Sequence, residues 1–206
     1  MSEDRKVDEA KAKDGVVPVT RDCYSNPERD LLITVAQESI RFGLDSGRPL
    51  RVDSGLYPVA LQAQRATFVT LLRQGDLRGC IGTLEARRPL VVDVAENAFA
   101  AAFRDPRFPP LTAAEFAGVE IHLSILSPAT PLHFVSEDDL LGQLRPGVDG
   151  LILTWHGHRG TFLPSVWESL PVPRDFLDHL KMKAGLPADF WSEDLCVERY
   201  TAIGVP

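Results

Sequence analysis

The sequence predicts an α+β fold with largely antiparallel strands, and three observations carry it. Two segments read as β-hairpins that turn on a glycine and return through an Arg-Gly pair. They are Phe68-Val69-Thr70-Leu71 to Leu77-Arg78-Gly79, and Leu151-Ile152-Leu153-Thr154-Trp155 to Arg159-Gly160-Thr161. Val119 to Leu126 alternates, with Val119, Ile121, Leu123 and Ile125 on one side and Glu120, His122 and Ser124 on the other. Amphipathic helix signals flank these strands.

The elements follow in order. Residues 1 to 20 mix Lys, Asp, Glu and Ala without an apolar face, the composition of a disordered tail. Residues 21–206 form the folded part, as one domain or two small lobes. Ser25 and Glu28 have capping-box spacing around Pro27. Leu32, Val35, Ala36, Ser39 and Ile40 then share a helical face, and Gly43 is the expected stop. Ala66 to Leu72 and Leu77 to Thr83 form the first hairpin around Gln74-Gly75-Asp76. Pro89 opens a helix through Phe103 with a small-residue face. Pro106, Pro109 and Pro110 keep the next stretch out of helix. Thr112 with Glu115 and Ser136 with Asp139 cap two short helices. The second hairpin turns at His156-Gly157-His158. Arg174 to Ala184 is helical, and Leu195 to Ile203 is the last strand.

Composition narrows the function. The formal charge of -7 argues against a general nucleic-acid binder. Yet seven arginines face five acids between Arg65 and Arg107, a local positive balance that suits an anionic small molecule. No apolar run approaches the ~20 residues of a membrane span, and the charged N-terminus is no signal peptide. Cys23, Cys80 and Cys196 lie far apart, without metal-finger or redox-pair spacing. An odd number of cysteines fits a reducing, cytoplasmic location. His156 and His158 have no acidic neighbour in sequence, so no metal is assigned, and no cofactor is legible.

The chemistry concentrates in Arg78-Gly79-Cys80-Ile81-Gly82. Strand alternation puts Arg78, Cys80 and Gly82 on one face. A guanidinium beside a thiol favours thiolate, and missing side chains leave room for a ligand. The plainer alternative is a bulge beside a small buried cysteine. Asp105 and Arg107 follow the next helix; Arg107 either holds an anion or pairs with Asp105 to lock the proline-rich turn. His122 is the best available base for Cys80. Lys183 ends a helix, where a cation suits the dipole.

These residues, with Asp105-Pro106-Arg107-Phe108, Ser124-Ile125-Leu126-Ser127, Phe162-Leu163-Pro164-Ser165-Val166 and Lys183-Ala184-Gly185-Leu186, give the chain a resemblance. From about Ser25 to Tyr200 it resembles the AMME syndrome candidate-gene family, whose prokaryotic members are called AmmeMemoRadiSam system protein A. Ser165 stands where the family pattern has glutamine. The resemblance implies a mixed, largely antiparallel, barrel-like sheet built from two β3-α2 repeats and flanked by helices. In that scheme Thr161 is the positional counterpart of Cys80. The resemblance further implies association with a Memo-like protein and a radical-SAM protein, which is a pathway and not a reaction. Two readings follow: a binding module or accessory protein whose groove includes Cys80, Arg78, Gly79, Gly82, Asp105, Arg107 and His122, or an enzyme with Cys80 as nucleophile.

Overall fold

A capping box at Ser25 starts the first helix: Glu28 accepts from the Ser25 backbone N–H at 2.7 Å, and α1 runs Asn26–Ser46. The computed structural model describes residues 24–206, so the tail and Cys23 lie outside the described residues. The helix passes through the expected stop at Gly43 and ends at Gly47, whose φ of 69° closes it. Gly43 has a different role. A Cβ there would lie 2.6 Å from the Phe103 ring, so the bare backbone admits the neighbouring helix.

After a short helix α2 (Val59–Gln62) come β1 (Thr67–Arg73) and β2 (Asp76–Gly82). Gln74 and Gly75, both at positive φ, make the two-residue turn. Helix α3 (Leu90–Phe103) and short α4 (Ala113–Phe116) precede β3 (Val119–Leu126). Next are β4 (Thr130–Pro131), α5 (Glu137–Gln143), β5 (Gly150–Trp155), β6 (His158–Phe162), α6 (Pro173–Lys183), β7 (Cys196–Tyr200) and β8 (Ala202–Val205).

The strands form two antiparallel four-stranded sheets, ordered β2-β1-β3-β8 and β4-β7-β5-β6. There is no closed barrel, which corrects the barrel-like expectation. Strands β2 and β6 remain sheet edges, and the expected last strand divides at Thr201 between the sheets. Ser127 and Thr201 clasp this crossover through reciprocal bonds of 2.9 Å.

Each sheet buries one face against helices. Val69, Leu71, Leu123 and Ile125 pack with α1 and α3, using Leu32, Val35, Val94 and Ala98. Leu151, Leu153 and Val197 pack with α6 through Phe176, Leu177 and Leu180. Ala66, Leu126, Ile152 and Tyr200 form a third cluster that joins the sheets. A buried polar knot fixes α3 on the start of β1. Thr67 donates to Asp93 from its backbone N–H (3.0 Å) and hydroxyl (2.7 Å), while Asn97 and Arg88 donate to the same carboxylate. Among the described residues, no helix is long and apolar enough to cross a membrane.

Candidate functional site

Strand β2 is an edge, so its outward amides and carbonyls need partners other than a strand. At Cys80 two side chains supply them. Asp105 Oδ2 accepts the Cys80 N–H at 2.8 Å, and Arg107 Nη2 donates to the Cys80 carbonyl at 3.3 Å. Asp105 and Arg107 also bind each other, with Nε–Oδ1 at 2.9 Å and Nη2–Oδ2 at 2.6 Å. The Arg107 guanidinium and the Cys80 amide hold the buried Asp105 carboxyl far below the usual carboxylate range. The Asp105–Arg107 pair therefore caps the sheet edge. It also locks the proline-rich turn, because the Arg107 N–H donates to Asp105 Oδ1 at 3.1 Å.

The Cys80 thiol is half-buried and free. Thr70, opposite it on β1, donates its hydroxyl to Sγ at 3.3 Å. A cleft of about 400 Å³ opens beside the sulfur. Phe68, Ile81, Leu163 and Val166 give it apolar walls, while Arg107, Thr161, Ser165 and Lys183 give it polar ones. Cys80 comes from one sheet and Thr161 from the other, so the cleft follows the seam where the β2 and β6 edges approach. A second hollow of about 370 Å³ continues along the seam and shares Phe68 and Thr161. Larger hollows, of about 540 and 570 Å³, lie elsewhere and contain none of the expected site residues.

Arg78 is not among the cleft residues. Register slips between Leu71 and Leu72, pairing them with Gly79 and Leu77 and leaving nothing opposite Arg78. This bulge takes Arg78 out of the alternation on which the thiol–guanidinium expectation rested. Its buried guanidinium instead grips Glu115 (Nε–Oε1 3.1 Å) and the Pro109 carbonyl (3.0 Å). Arg78 and Thr112 together hold the Glu115 carboxyl down to about 2. The guanidinium beside Cys80 is that of Arg107.

Gly79 does not leave room for a ligand, whereas Gly82 lines the second hollow along the seam and not the Cys80 cleft. A Cβ on Gly79 would lie 2.2 Å from the Ala101 carbonyl of α3, so the missing side chain admits the helix backbone. On Gly82 it would lie 2.4 Å from the Phe68 ring. Gly160 repeats the role of Gly79 in the second sheet, with α6 backbone 2.9 Å from the would-be Cβ.

His122 shares a cross-strand row with Thr70 and Cys80 but sits two strands from the thiol, roughly 9–10 Å at ordinary strand spacing. It points toward Glu120 at 3.9 Å and does not line the cleft. His158 bonds the Ala184 carbonyl at 3.0 Å, and His156 faces Asp194 at 3.8 Å. Among the described residues, no three His, Cys, Asp or Glu side chains gather as metal ligands.

Lys183, read from the sequence as a helix-end cation with no part in the site, lines the cleft. Its side chain is exposed overall, its ammonium lies 4.9 Å from the centroid of the Phe162 ring, and local desolvation pulls its pKa below the ordinary lysine value. A signal was present: with Phe176 and Leu180, Lys183 falls at i, i+4 and i+7 on the apolar side of α6.

Fold and cleft define a class: α+β proteins of two antiparallel sheets with a half-buried thiol at their seam. The chain belongs to the AMMECR1 family, whose model matches residues 33–205. It is 37% identical over 191 residues to a protein of Methanothermobacter thermautotrophicus, covering 90% of this chain and 94% of that one. It is 36% identical over 165 residues to protein MJ0810 of Methanocaldococcus jannaschii, covering 76% and 79%. The crystal structure of the uncharacterised protein PH0010 from Pyrococcus horikoshii superposes with a TM-score of 0.80 at 30% identity, covering 87% of this chain and 91% of that one.

Proposed function

We propose that the protein is a ligand- or partner-binding accessory domain of the AmmeMemoRadiSam system. In this reading it acts in the cytoplasm beside Memo-like and radical-SAM proteins, and the Cys80 cleft is its contact site. One observation carries the preference for binding over catalysis. The only carboxylate lining the cleft, Asp105, is committed to Arg107 and the Cys80 amide, and no histidine lines it among the described residues. A nucleophilic cysteine needs a base within hydrogen-bond reach. The second reading, Cys80 attacking an anionic small molecule, rests on the Thr70 hydroxyl donated to Sγ.

The same proposal takes the two halves as the β3-α2 repeats of the resemblance. Two parallels support it. Strand β1 lies between β2 and β3 as β5 lies between β6 and β7, and Gly79 and Gly160 each admit a helix backbone.

Co-purification tests the function. Tagged protein should retain the Memo-like and radical-SAM proteins when the three are co-expressed. Arg107→Ala should lose them and Cys80→Ser should keep them. Wild-type protein that retains neither, at concentrations where all three are folded, overturns the accessory reading. Equal loss from both variants moves the reading to chemistry at sulfur.

A further inference from the structure

The cleft carries an uncompensated charge. Asp105 neutralises Arg107 through two hydrogen bonds, so that pair contributes no net charge to the cleft. Lys183 has no carboxylate partner among the described residues. The neighbouring Lys181 shows the contrast: it is fully buried and engages Glu137, Asp178 and the Ala188 carbonyl.

Nor is Lys183 needed to cap α6. The helix ends in a Schellman motif, with the Leu186 N–H on the Lys181 carbonyl and the Gly185 N–H on the Met182 carbonyl, both at 3.0 Å. Gly185 stands at φ 82°, and His158 takes the Ala184 carbonyl. The carbonyls of Leu180, Lys181, Met182 and Ala184 are thus served by backbone and histidine. The Lys183 ammonium remains available at the wall of a cleft whose apolar walls are Phe68, Ile81, Leu163 and Val166 and whose other polar walls are Thr161, Ser165 and the paired Asp105 and Arg107.

We infer that Lys183 is the anion anchor of this cleft and that the occupant is a monoanion with an apolar body, of the class of aliphatic carboxylates. The inference rests on the binding reading above and names its ligand class. One net positive charge suits one negative charge, and four apolar walls suit a hydrocarbon body. A polyphosphate would leave charge unpaired here. Cys80 reports on the site because it lines the same cleft.

Two alkylating probes of similar size read the charge. Iodoacetate is an anion and iodoacetamide is neutral, so their rate ratio at Cys80 measures the local field. Lys183→Met, which keeps the apolar stem, should lower the iodoacetate-to-iodoacetamide ratio at least about threefold at low salt, and Lys183→Arg should preserve it. Hexanoate should slow iodoacetamide labelling of Cys80 in the wild type and not in Lys183→Met, whereas hexanol should slow neither. The urea midpoint of Lys183→Met should stay at the wild-type value, which separates anion binding from a structural role. An unchanged ratio in Lys183→Met overturns the inference while leaving the cleft reading intact. A Cys80 that neither reagent reaches in folded protein overturns the cleft reading, and the inference with it.

Discussion

Asp105 holds the backbone amide of Cys80 at 2.8 Å and thereby stands in for the strand that the β2 edge lacks. The carboxylate is 2% exposed, while its partner Arg107 is half exposed. Replacing Asp105 by alanine strands the Cys80 N–H and frees the arginine. Hydrogen bonds to charged groups are worth about 1.5–3 kcal/mol each, and the exposed arginine regains water. Asp105→Ala should therefore cost about 2 kcal/mol in urea unfolding. A midpoint equal to the wild type would remove the edge-capping role.

Acid should undo this corner of the protein. Asp105 and Glu115 both titrate below their ordinary values because arginines and amide or hydroxyl donors favour their charged forms. Their contribution is complete above the unfolded carboxylate range, near pH 4, and is lost as pH falls through the folded values, about 2 for Glu115 and lower for Asp105. The urea midpoint should fall steadily from about pH 5 to pH 2, and less steeply in Arg78→Gln. A flat profile over that window would contradict both pairings.

Gly79→Ala should be among the most damaging small substitutions in the chain. The added carbon meets the carbonyl of Ala101 at 2.2 Å, and that backbone is fixed inside α3. Overpacking of this kind costs about 1–3 kcal/mol or more. Gly204→Ala, with nothing within 4 Å of the added carbon, is the control and should change stability by less than about 0.5 kcal/mol. Similar unfolding curves for the two variants would show that helix and strand do not approach this closely.

Arg78 and Arg107 should separate in their effects. Arg78→Gln leaves Glu115 without its main partner and should lower the urea midpoint, with iodoacetamide labelling of Cys80 within about twofold of wild type. Arg107→Gln should change that labelling rate, because its guanidinium spans the Cys80 carbonyl at the cleft. The reverse pattern would return Arg78 to the site.

Most elements were legible because local signals and packing agree. The capping boxes at Ser25 and Thr112 both formed, and so did the turn at Gln74-Gly75. The alternation of β3 reads directly as buried Ile121, Leu123 and Ile125. The misreadings have one origin, in tertiary contacts that sequence spacing does not encode. A bulge turned Arg78 away from Cys80. Phe99 and Phe103 explain Gly43 within a continuing helix, and Ala101 explains Gly79. Thr201 divides the last strand because the chain must leave one sheet for the other there. At the site, Asp105 and Arg107 were legible as a pair, but their grip on the Cys80 backbone was not, since edge amides carry no sequence signature. Lys183 passed as an ordinary helix-end cation, a role that the Gly185 cap already fills.

Iodoacetamide labelling of folded protein in native buffer, with each cysteine mapped by peptide mass, tests most directly whether Cys80 lines an open cleft. Cys80 should go to completion without denaturant, at a rate within about tenfold of the exposed Cys196, because side-chain access and not global unfolding controls it. A Cys80 that stays unmodified until urea unfolds the chain would contradict an open cleft at the seam of the two sheets.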